Sequence, residues 1–162
     1  MASRLFVPWV EPVAARLREG RAEIVEFARS VPLAAWRRPS PNPGWRCKDL
    51  LAHLAAGDWA LQSGLRVVIA KERLDIARFG NVDEANARFI AERAGRSIEE
   101  LIAEAEAEGE ETQALLARLE EGDEQYTPDN APITPATLGE FLRRFSQHDR
   151  YHLSQLRTAL ET

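Results

Sequence analysis

The fold of this chain is decided by one stretch near its C-terminal end, Phe141-Leu-Arg-Arg-Phe-Ser-Gln-His148-Asp-Arg-Tyr-His152-Leu-Ser-Gln155. At about 100° per residue, His148 and His152 lie one turn apart on the same face of a predicted helix. The helix fixes their separation, so both imidazoles can ligate one metal ion without backbone strain. Apolar residues share this face and predict that the histidines point toward a packed interior; they are Phe141, Phe145, Leu156 and Ala159.

The third histidine of the chain, His53, lies on another predicted helix, over residues 45–71. It is at the edge of an apolar stripe formed by Leu50, Leu54, Leu61, Leu65 and Val68. Small residues follow on the side of the histidine, where they leave room for a pocket or allow close helix contacts; they are Gly57, Ala60 and Gly64. All three histidines therefore lie on inward faces and can meet.

Helical periodicity also covers residues 10–31, a short segment 82–94, and residues 97–121, where Ser97-Ile-Glu-Glu100 forms a capping box. The final helix starts at Thr134 or at Thr137 and runs to Leu160. The proline-rich loop 122–135 is long enough to overhang the histidines. Because no segment alternates like a strand, the pattern predicts an all-α, four-helix bundle in a single domain over residues 1–162.

Composition excludes several classes of protein. A net charge of −5 in 162 residues argues against nucleic-acid binding, which needs a basic footprint. No apolar run reaches the ~20 residues of a membrane span, and the first residues do not resemble a signal peptide. A single cysteine, Cys47, fits a reducing compartment. These features predict a cytoplasmic protein without nucleic-acid or membrane partners.

Three neutral imidazoles favour zinc, iron, nickel or copper over magnesium or calcium, which prefer oxygen ligands. Three protein ligands also leave a coordination position for water or substrate, as in catalytic zinc sites. The alternative is that His53, His148 and His152 are packed side chains hydrogen-bonded to their neighbours. The coincidence of all three on inward faces favours the metal.

Three further residues of the last helix are candidate catalytic groups, because they flank the histidines on its polar side: Arg144, Tyr151 and Gln155. Arg144 either binds an anionic group of the substrate or pairs with a glutamate. Gln155 and Tyr151 either orient a ligand or belong to the surface.

Two residues near His53 allow alternative interpretations. Asp49 either holds the second ring nitrogen of His53 or is a favourable charge in the first helical turn. Cys47 is either a reactive thiol near a helix N-terminus or an inert core residue, and we favour the second. It is an unlikely fourth ligand, since it would lie about 9 Å along the helix from His53.

The stretch Trp45-Arg-Cys-Lys-Asp-Leu-Leu-Ala-His53-Leu, together with the His148–Gln155 stretch, resembles the DinB/YfiT-like superfamily of metalloenzymes. Asn81-Val-Asp-Glu-Ala-Asn86-Ala-Arg-Phe is similar to members close to the mycothiol-dependent maleylpyruvate isomerases. The resemblance covers nearly the whole chain. It implies an up-down-down-up four-helix bundle with a divalent metal on His53, His148 and His152, and homodimers are common among such proteins.

Members of this superfamily include thiol S-transferases that use bacillithiol or mycothiol, isomerases and proposed hydrolases. We therefore hypothesise a metal-dependent enzyme acting on a small molecule, with a low-molecular-weight thiol as cosubstrate. In the favoured reaction, S-transfer, the metal-activated thiol attacks an electrophile and Arg144 acts as a clamp for an anion. The alternatives are a metal-dependent hydrolase that activates water, and a non-catalytic bundle that binds a ligand.

Overall fold

The structure is a computed structural model that describes residues 5–129 and 137–161, without the side chains of residues 78 and 79. The described residues contain no strand, only two isolated bridges, Pro39–Arg46 and Asp75–Asp129. Three short 3₁₀ helices cover Leu33–Arg37, Ile76–Phe79 and Glu121–Gln125. The α-helices are α1 (Glu11–Ser30), α2 (Cys47–Ala56), α3 (Asp58–Ile69), α4 (Val82–Arg93), α5 (Ile98–Leu116), α6 (Leu138–Phe145) and α7 (His148–Leu160).

Two of the predicted long helices are interrupted. The helix expected over residues 45–71 is divided at Gly57 into α2 and α3, and the last helix is divided at Ser146 and Gln147 into α6 and α7. The Ser146 hydroxyl donates to the Arg143 carbonyl at 2.8 Å and so competes with the helical backbone. As a result His148 is the first residue of α7, with His152 one turn later.

The bundle runs up-down-down-up, as predicted. Helix α1 is antiparallel to α5 and parallel to α7, whereas α3 is parallel to α5. The contacts that give these directions are Ala14–Gln113 and Arg21–Ala105, then Glu19–Arg150 and Phe27–Arg157, then Gln62–Glu108 and Arg66–Glu111. The α2–α3 pair therefore faces α7 in the opposite direction, which brings His53 of α2 opposite the first turns of α7.

The core consists of two apolar clusters, one formed largely by α1, α2, α5 and α7 and the other by α1, α3, α5 and α6. Between them lies a layer of buried polar side chains, which we call the polar layer. It consists of Arg21, Asp58, Gln62, Thr112 and Asp149. Helices α1, α3, α5 and α7 each contribute to this layer, so its charges lie among these four helices.

Several predicted boundaries require correction. Helix α5 ends at Leu116 instead of near residue 121. The described part of the long loop packs near the end of α3, where the Leu74 amide donates to the Tyr126 hydroxyl at 2.6 Å, and it does not cover the histidines. The rest of that loop, with Thr134 as a helix start, lies outside the described residues. The other predicted start, Thr137 with Glu140 as a capping box, is confirmed.

The expectation that Phe141 belongs to the core is also wrong. Phe141 is 39% exposed, because α6 turns this side chain outward. None of the helices in the described ranges combines the length and the apolar character that crossing a membrane requires.

Candidate metal centre

The three histidines meet as the sequence predicts. His53 is only 8% exposed, and His148 and His152 are half-buried. The ring centroids are 5.2 Å apart for His53 and His148, 4.9 Å for His53 and His152, and 4.6 Å for His148 and His152. One nitrogen from each ring lies within 4.8 Å of the other two. This is the only such group of three potential ligands that the described part of the chain contains.

Gly57 lies between α2 and α3, close to the His148 ring. A Cβ built at this position would meet the His53 carbonyl oxygen at 3.2 Å, which is tight, and His148 Cε1 at 3.5 Å, which is an ordinary contact. Gly57 and Ala60 line the cavity beside the histidines, which confirms the expected use of small residues there. Gly64 does not line it and lies against Leu74 instead.

The hydrogen bonds of the three histidine rings are compatible with the binding of a metal cation. His152 Nδ1 lies 2.7 Å from Gln155 Oε1, an acceptor, so this nitrogen carries the proton and Nε2 keeps its lone pair. His53 Nε2 and His148 Nε2 are 3.3 Å apart. The Nδ1 atoms of His53 and His148 are buried and have no hydrogen-bond partner among the described residues. Three imidazoles that each bring one nitrogen within 4.8 Å of the other two fit a transition-metal ion.

The surroundings of His53 and His152 favour the neutral imidazole, which is the form that binds a metal ion. Burial lowers the pKa of His53 to about 3, and the neighbouring His148 and His152 act in the same direction. Burial and the charge of His148 also lower the pKa of His152. Metal ions bind the neutral imidazole, so protons compete little for these two ligands near neutral pH.

We expect the metal-free protein to lose stability as pH falls from about 6.5 toward 3. Unfolded histidines bind protons below their ordinary pKa, whereas the folded-state pKa of His53 is about 3. The unfolded state therefore binds more protons in this window, and lowering the pH favours it. Urea unfolding as a function of pH tests this, and a His53→Leu variant should show a flatter profile. An identical profile for the variant would contradict the assignment.

The polar layer lies directly behind His148. Asp149 Oδ1 is 3.6 Å from His148 Nδ1, and Asp149 Oδ2 accepts from Arg21 Nε at 2.9 Å. Arg21 also donates to Asp58 Oδ1 at 3.0 Å, and the other oxygen of Asp58 accepts from the Thr112 hydroxyl at 2.8 Å. Gly20 of α1 makes room, since a Cβ there would come within 3.2 Å of Asp149 Cβ.

The charges of this layer do not cancel, because two carboxylates share one guanidinium. The remaining negative charge faces the ring of His148. Negative charge behind a histidine ring favours a cation bound to the other ring nitrogen. Sequence reasoning did not identify this group. One feature of the sequence could have revealed the polar layer. Arg21 follows Leu17 at helical spacing, and Asp58 follows Leu54 in the same way, so each charged residue continues an apolar stripe.

Asp149→Asn should weaken metal binding about 10- to 100-fold, because the amide lacks the charge that supports His148. Zinc titration by calorimetry measures this effect. Asp83→Asn is the matched control, since Asp83 is an exposed acid at the cavity edge that has no contact with the rings. Equal zinc affinity in Asp149→Asn and wild type would show that the carboxylate does not support the site.

A cavity of about 520 Å³ opens beside the three histidines. Its walls include aromatic residues from four segments: Trp45, Trp59, Phe89 and Phe145. Helix α4 covers it with Val82, Ala85, Asn86 and Phe89, so the roof is this helix and not the loop that the sequence suggested. Phe145 stacks on His148, with centroids 5.2 Å apart and planes at 6°.

The other predicted site residues differ in their positions. Gln155 contacts His152 and also exchanges hydrogen bonds with Asn42. Tyr151 is 61% exposed, its ring lies 5.1 Å from that of His152, and its hydroxyl accepts from Gln155. Arg144 is exposed on α6 and does not line the cavity.

Asp49 and Cys47 of α2, each of which allowed two interpretations from the sequence, both have structural roles. Asp49 accepts the backbone N–H of Arg46 at 2.8 Å in a capping box, so its carboxylate serves the helix start. Cys47 is fully buried, its thiol lies 3.6 Å from the Pro39 carbonyl, and burial raises its pKa. This is the inert core residue that the sequence favoured.

Fold and site together define a DinB-like helical bundle with a three-histidine cluster beside its polar layer. Residues 17–148 match the family model described as the mycothiol maleylpyruvate isomerase N-terminal domain, and the chain belongs to this family. The resemblance inferred from the sequence is thereby confirmed. No curated protein sequence matches the chain.

One solved structure, described as the crystal structure of the mycothiol-dependent maleylpyruvate isomerase, is similar with a TM-score of 0.75 and 19% sequence identity. The match covers 93% of this chain and 61% of that chain. At this identity the likeness supports the fold. The present chain therefore spans less than two thirds of the length of the solved relative.

Proposed function

We propose that this protein is a metal-dependent enzyme in which a low-molecular-weight thiol attacks a small electrophile. The observation that carries the proposal is the convergence of His53, His148 and His152 beside a cavity of about 520 Å³. A thiol cosubstrate is proposed because the description of the matching family names mycothiol. Zinc, nickel and iron all suit three imidazoles with a position left for a ligand.

When bound there, such an ion acts as a Lewis acid and lowers the pKa of a thiol or of water toward neutrality. The chain contributes the arrangement around it. Gln155 holds the His152 ring in the tautomer that presents Nε2. Asp149, held by Arg21, lies behind His148. Aromatic side chains form much of the wall beside the place where the reacting groups would meet.

The attacking thiol has to come from solution. The only cysteine of the chain, Cys47, is buried in the core and does not line the cavity. A raised pKa also makes it a poor nucleophile at neutral pH. A diffusible thiol cosubstrate therefore agrees with the cavity and with the family description.

The roles of Tyr151 and Arg144 stay predictions. Tyr151 is adjacent to His152, and we propose that it helps orient a ligand at the mouth of the cavity. A single domain over residues 1–162, a homodimer and a cytoplasmic location are also part of the proposal; they rest on the composition and on the superfamily resemblance.

Elemental analysis and turnover assays test the proposal. The purified protein should contain about one transition-metal ion per chain. It should consume an electrophile only when mycothiol or bacillithiol is present, with thiol loss equal to product formed. Bound metal with thiol-independent cleavage of esters or amides would establish the hydrolase instead. Ligand binding that persists in His148→Ala, without turnover by the wild type, would establish a non-catalytic bundle.

A further inference from the structure

The segment that leads into α2 reaches the histidine site through a tight turn at residues 42–45. The Trp45 amide donates to the Asn42 carbonyl at 3.1 Å, and the two residues between them are Pro43 and Gly44. Gly44 has a φ of 81°, which glycine adopts without strain, and proline is favoured at the position before it. The Pro-Gly pair therefore favours a type II turn, whose two ends are Asn42 and Trp45.

Both ends of this turn contact the surroundings of the three histidines. The ring of Trp45 lies 5.4 Å from that of His53, measured between centroids. The side chain of Asn42 pairs with that of Gln155 on α7. Asn42 Nδ2 donates to Gln155 Oε1 at 3.3 Å, and Gln155 Nε2 donates to Asn42 Oδ1 at 3.4 Å. The turn thereby connects the segment before α2 with α7, and these two helices carry the three histidines.

The amide of Gln155 uses its full capacity for hydrogen bonds. Besides the pair with Asn42, its Oε1 accepts from His152 Nδ1 at 2.7 Å, and its Nε2 donates to the Tyr151 hydroxyl at 3.3 Å. An amide oxygen accepts two hydrogen bonds, and an amide nitrogen donates two. Ordering a glutamine side chain costs rotamer entropy, so several partners hold it better than one. Asn42 supplies one bond to each end of this amide.

The position of Gln155 determines which nitrogen of His152 is free. A neutral imidazole carries one proton, on Nδ1 or on Nε2. With Gln155 Oε1 against Nδ1 the proton is held there, and Nε2 keeps the lone pair that a metal ion needs. If Gln155 turned away into solvent, part of the molecules would carry the proton on Nε2. Metal binding would then first require a change of tautomer.

We propose that Asn42 is a positioning residue of the metal site, which acts on His152 through Gln155. This role rests on the proposed function, because it concerns the same histidine site. The turn presents the Asn42 amide, this amide orders Gln155, and Gln155 holds the proton of His152 on Nδ1.

Nitrogen-15 NMR of the imidazole rings tests the proposal without a metal. Near pH 8, above the ordinary pKa of histidine, His152 of the metal-free wild type should carry its proton on Nδ1. Asn42→Ala should show a mixture with the Nε2–H tautomer. Thr158→Ala is the control and should keep the wild-type tautomer, since Thr158 is exposed on α7 and donates to the Ser154 carbonyl at 2.9 Å. A wild-type proton on Nε2, or an unchanged tautomer in Asn42→Ala, would overturn the proposal.

Zinc calorimetry on a double-mutant cycle tests whether the effect passes through Gln155. Gln155→Ala should weaken zinc binding about tenfold, and Asn42→Ala about fivefold. Because Asn42 acts through Gln155, the variant that combines both changes should bind zinc as Gln155→Ala alone does. Losses that multiply to about fiftyfold in the combined variant would show that Asn42 acts by another route and would overturn the proposal.

These two measurements also separate the role of Asn42 from the proposed function. The tautomer is measured without a metal, and zinc affinity is measured without thiol or electrophile. If both respond to Asn42→Ala as expected while the wild type shows no thiol-dependent turnover, the positioning role stands and the proposed reaction fails. Thiol-dependent turnover in a protein whose tautomer and zinc affinity ignore Asn42→Ala would have the opposite meaning.

Discussion

Replacing His53 by leucine is expected to weaken zinc binding strongly and to raise the melting temperature of the metal-free protein. One of three ligands is lost, which should weaken zinc binding at least about a hundredfold. In the metal-free state the His53 ring is 8% exposed and its Nδ1 has no partner among the described residues. Leaving such a buried group unsatisfied costs about 1–3 kcal/mol, which an apolar side chain avoids. A binding site that costs stability is the pattern expected of a functional group of residues.

Gln62→Leu is a matched control for the rise in melting temperature that is expected of His53→Leu. Gln62 is also a buried polar residue of the same side of the bundle, at 4% exposure, but its amide donates to Glu108 and Thr112. Its replacement should lower the melting temperature, since satisfied partners lose a donor. Scanning calorimetry compares both variants with the wild type. If His53→Leu destabilised the protein as much as Gln62→Leu, or bound zinc as tightly as the wild type, the assignment of His53 would be wrong.

Arg21→Met should destabilise the protein by about 3–5 kcal/mol, because it leaves two buried carboxylates without a counter-charge. Arg21 is 7% exposed, and both of its acid partners, Asp58 and Asp149, are 2% exposed. Burial already raises the pKa of Asp58 although Arg21 lies beside it. Urea unfolding at neutral pH measures the loss. Arg29→Met on the same helix is the control, since Arg29 forms an exposed pair with Glu106 that should contribute about 0–1 kcal/mol.

The loss of stability in Arg21→Met, relative to the wild type, should shrink as the pH is lowered from 7 toward 5. Without the guanidinium, both carboxylates should have a folded-state pKa above their unfolded value. Their protonation then favours the folded state of the variant, whereas the contribution of His53 is the same in both proteins and cancels in the comparison. Equal losses in Arg21→Met and Arg29→Met, or no recovery at lower pH, would show that the polar layer is not an ionic unit.

Much of the fold could be predicted because its signals are local. The spacing of His148 and His152, the apolar stripe beside His53 and the capping boxes at Ser97 and Thr137 all depend on residues within a few positions. These signals predicted the helices, their inward faces and the meeting of the three rings.

The remaining features depend on contacts between distant helices. Arg21 is buried only because α3 and α7 supply Asp58 and Asp149, and no pattern within α1 shows those partners. The Gly57 position, where α2 and α3 meet, lies beside His148 of α7, and nothing in the sequence near Gly57 shows that neighbour. Helix α4 has no buried residue. The spacing of its apolar residues therefore did not identify it as the roof of the cavity.

X-ray absorption spectroscopy of the zinc-loaded protein shows whether three imidazole nitrogens hold one transition-metal ion. We expect three nitrogen ligands at about 2.0–2.1 Å with the multiple-scattering signature of imidazole, and two in His152→Ala. A sulfur ligand at about 2.3 Å, or an unchanged spectrum in His152→Ala, would contradict it.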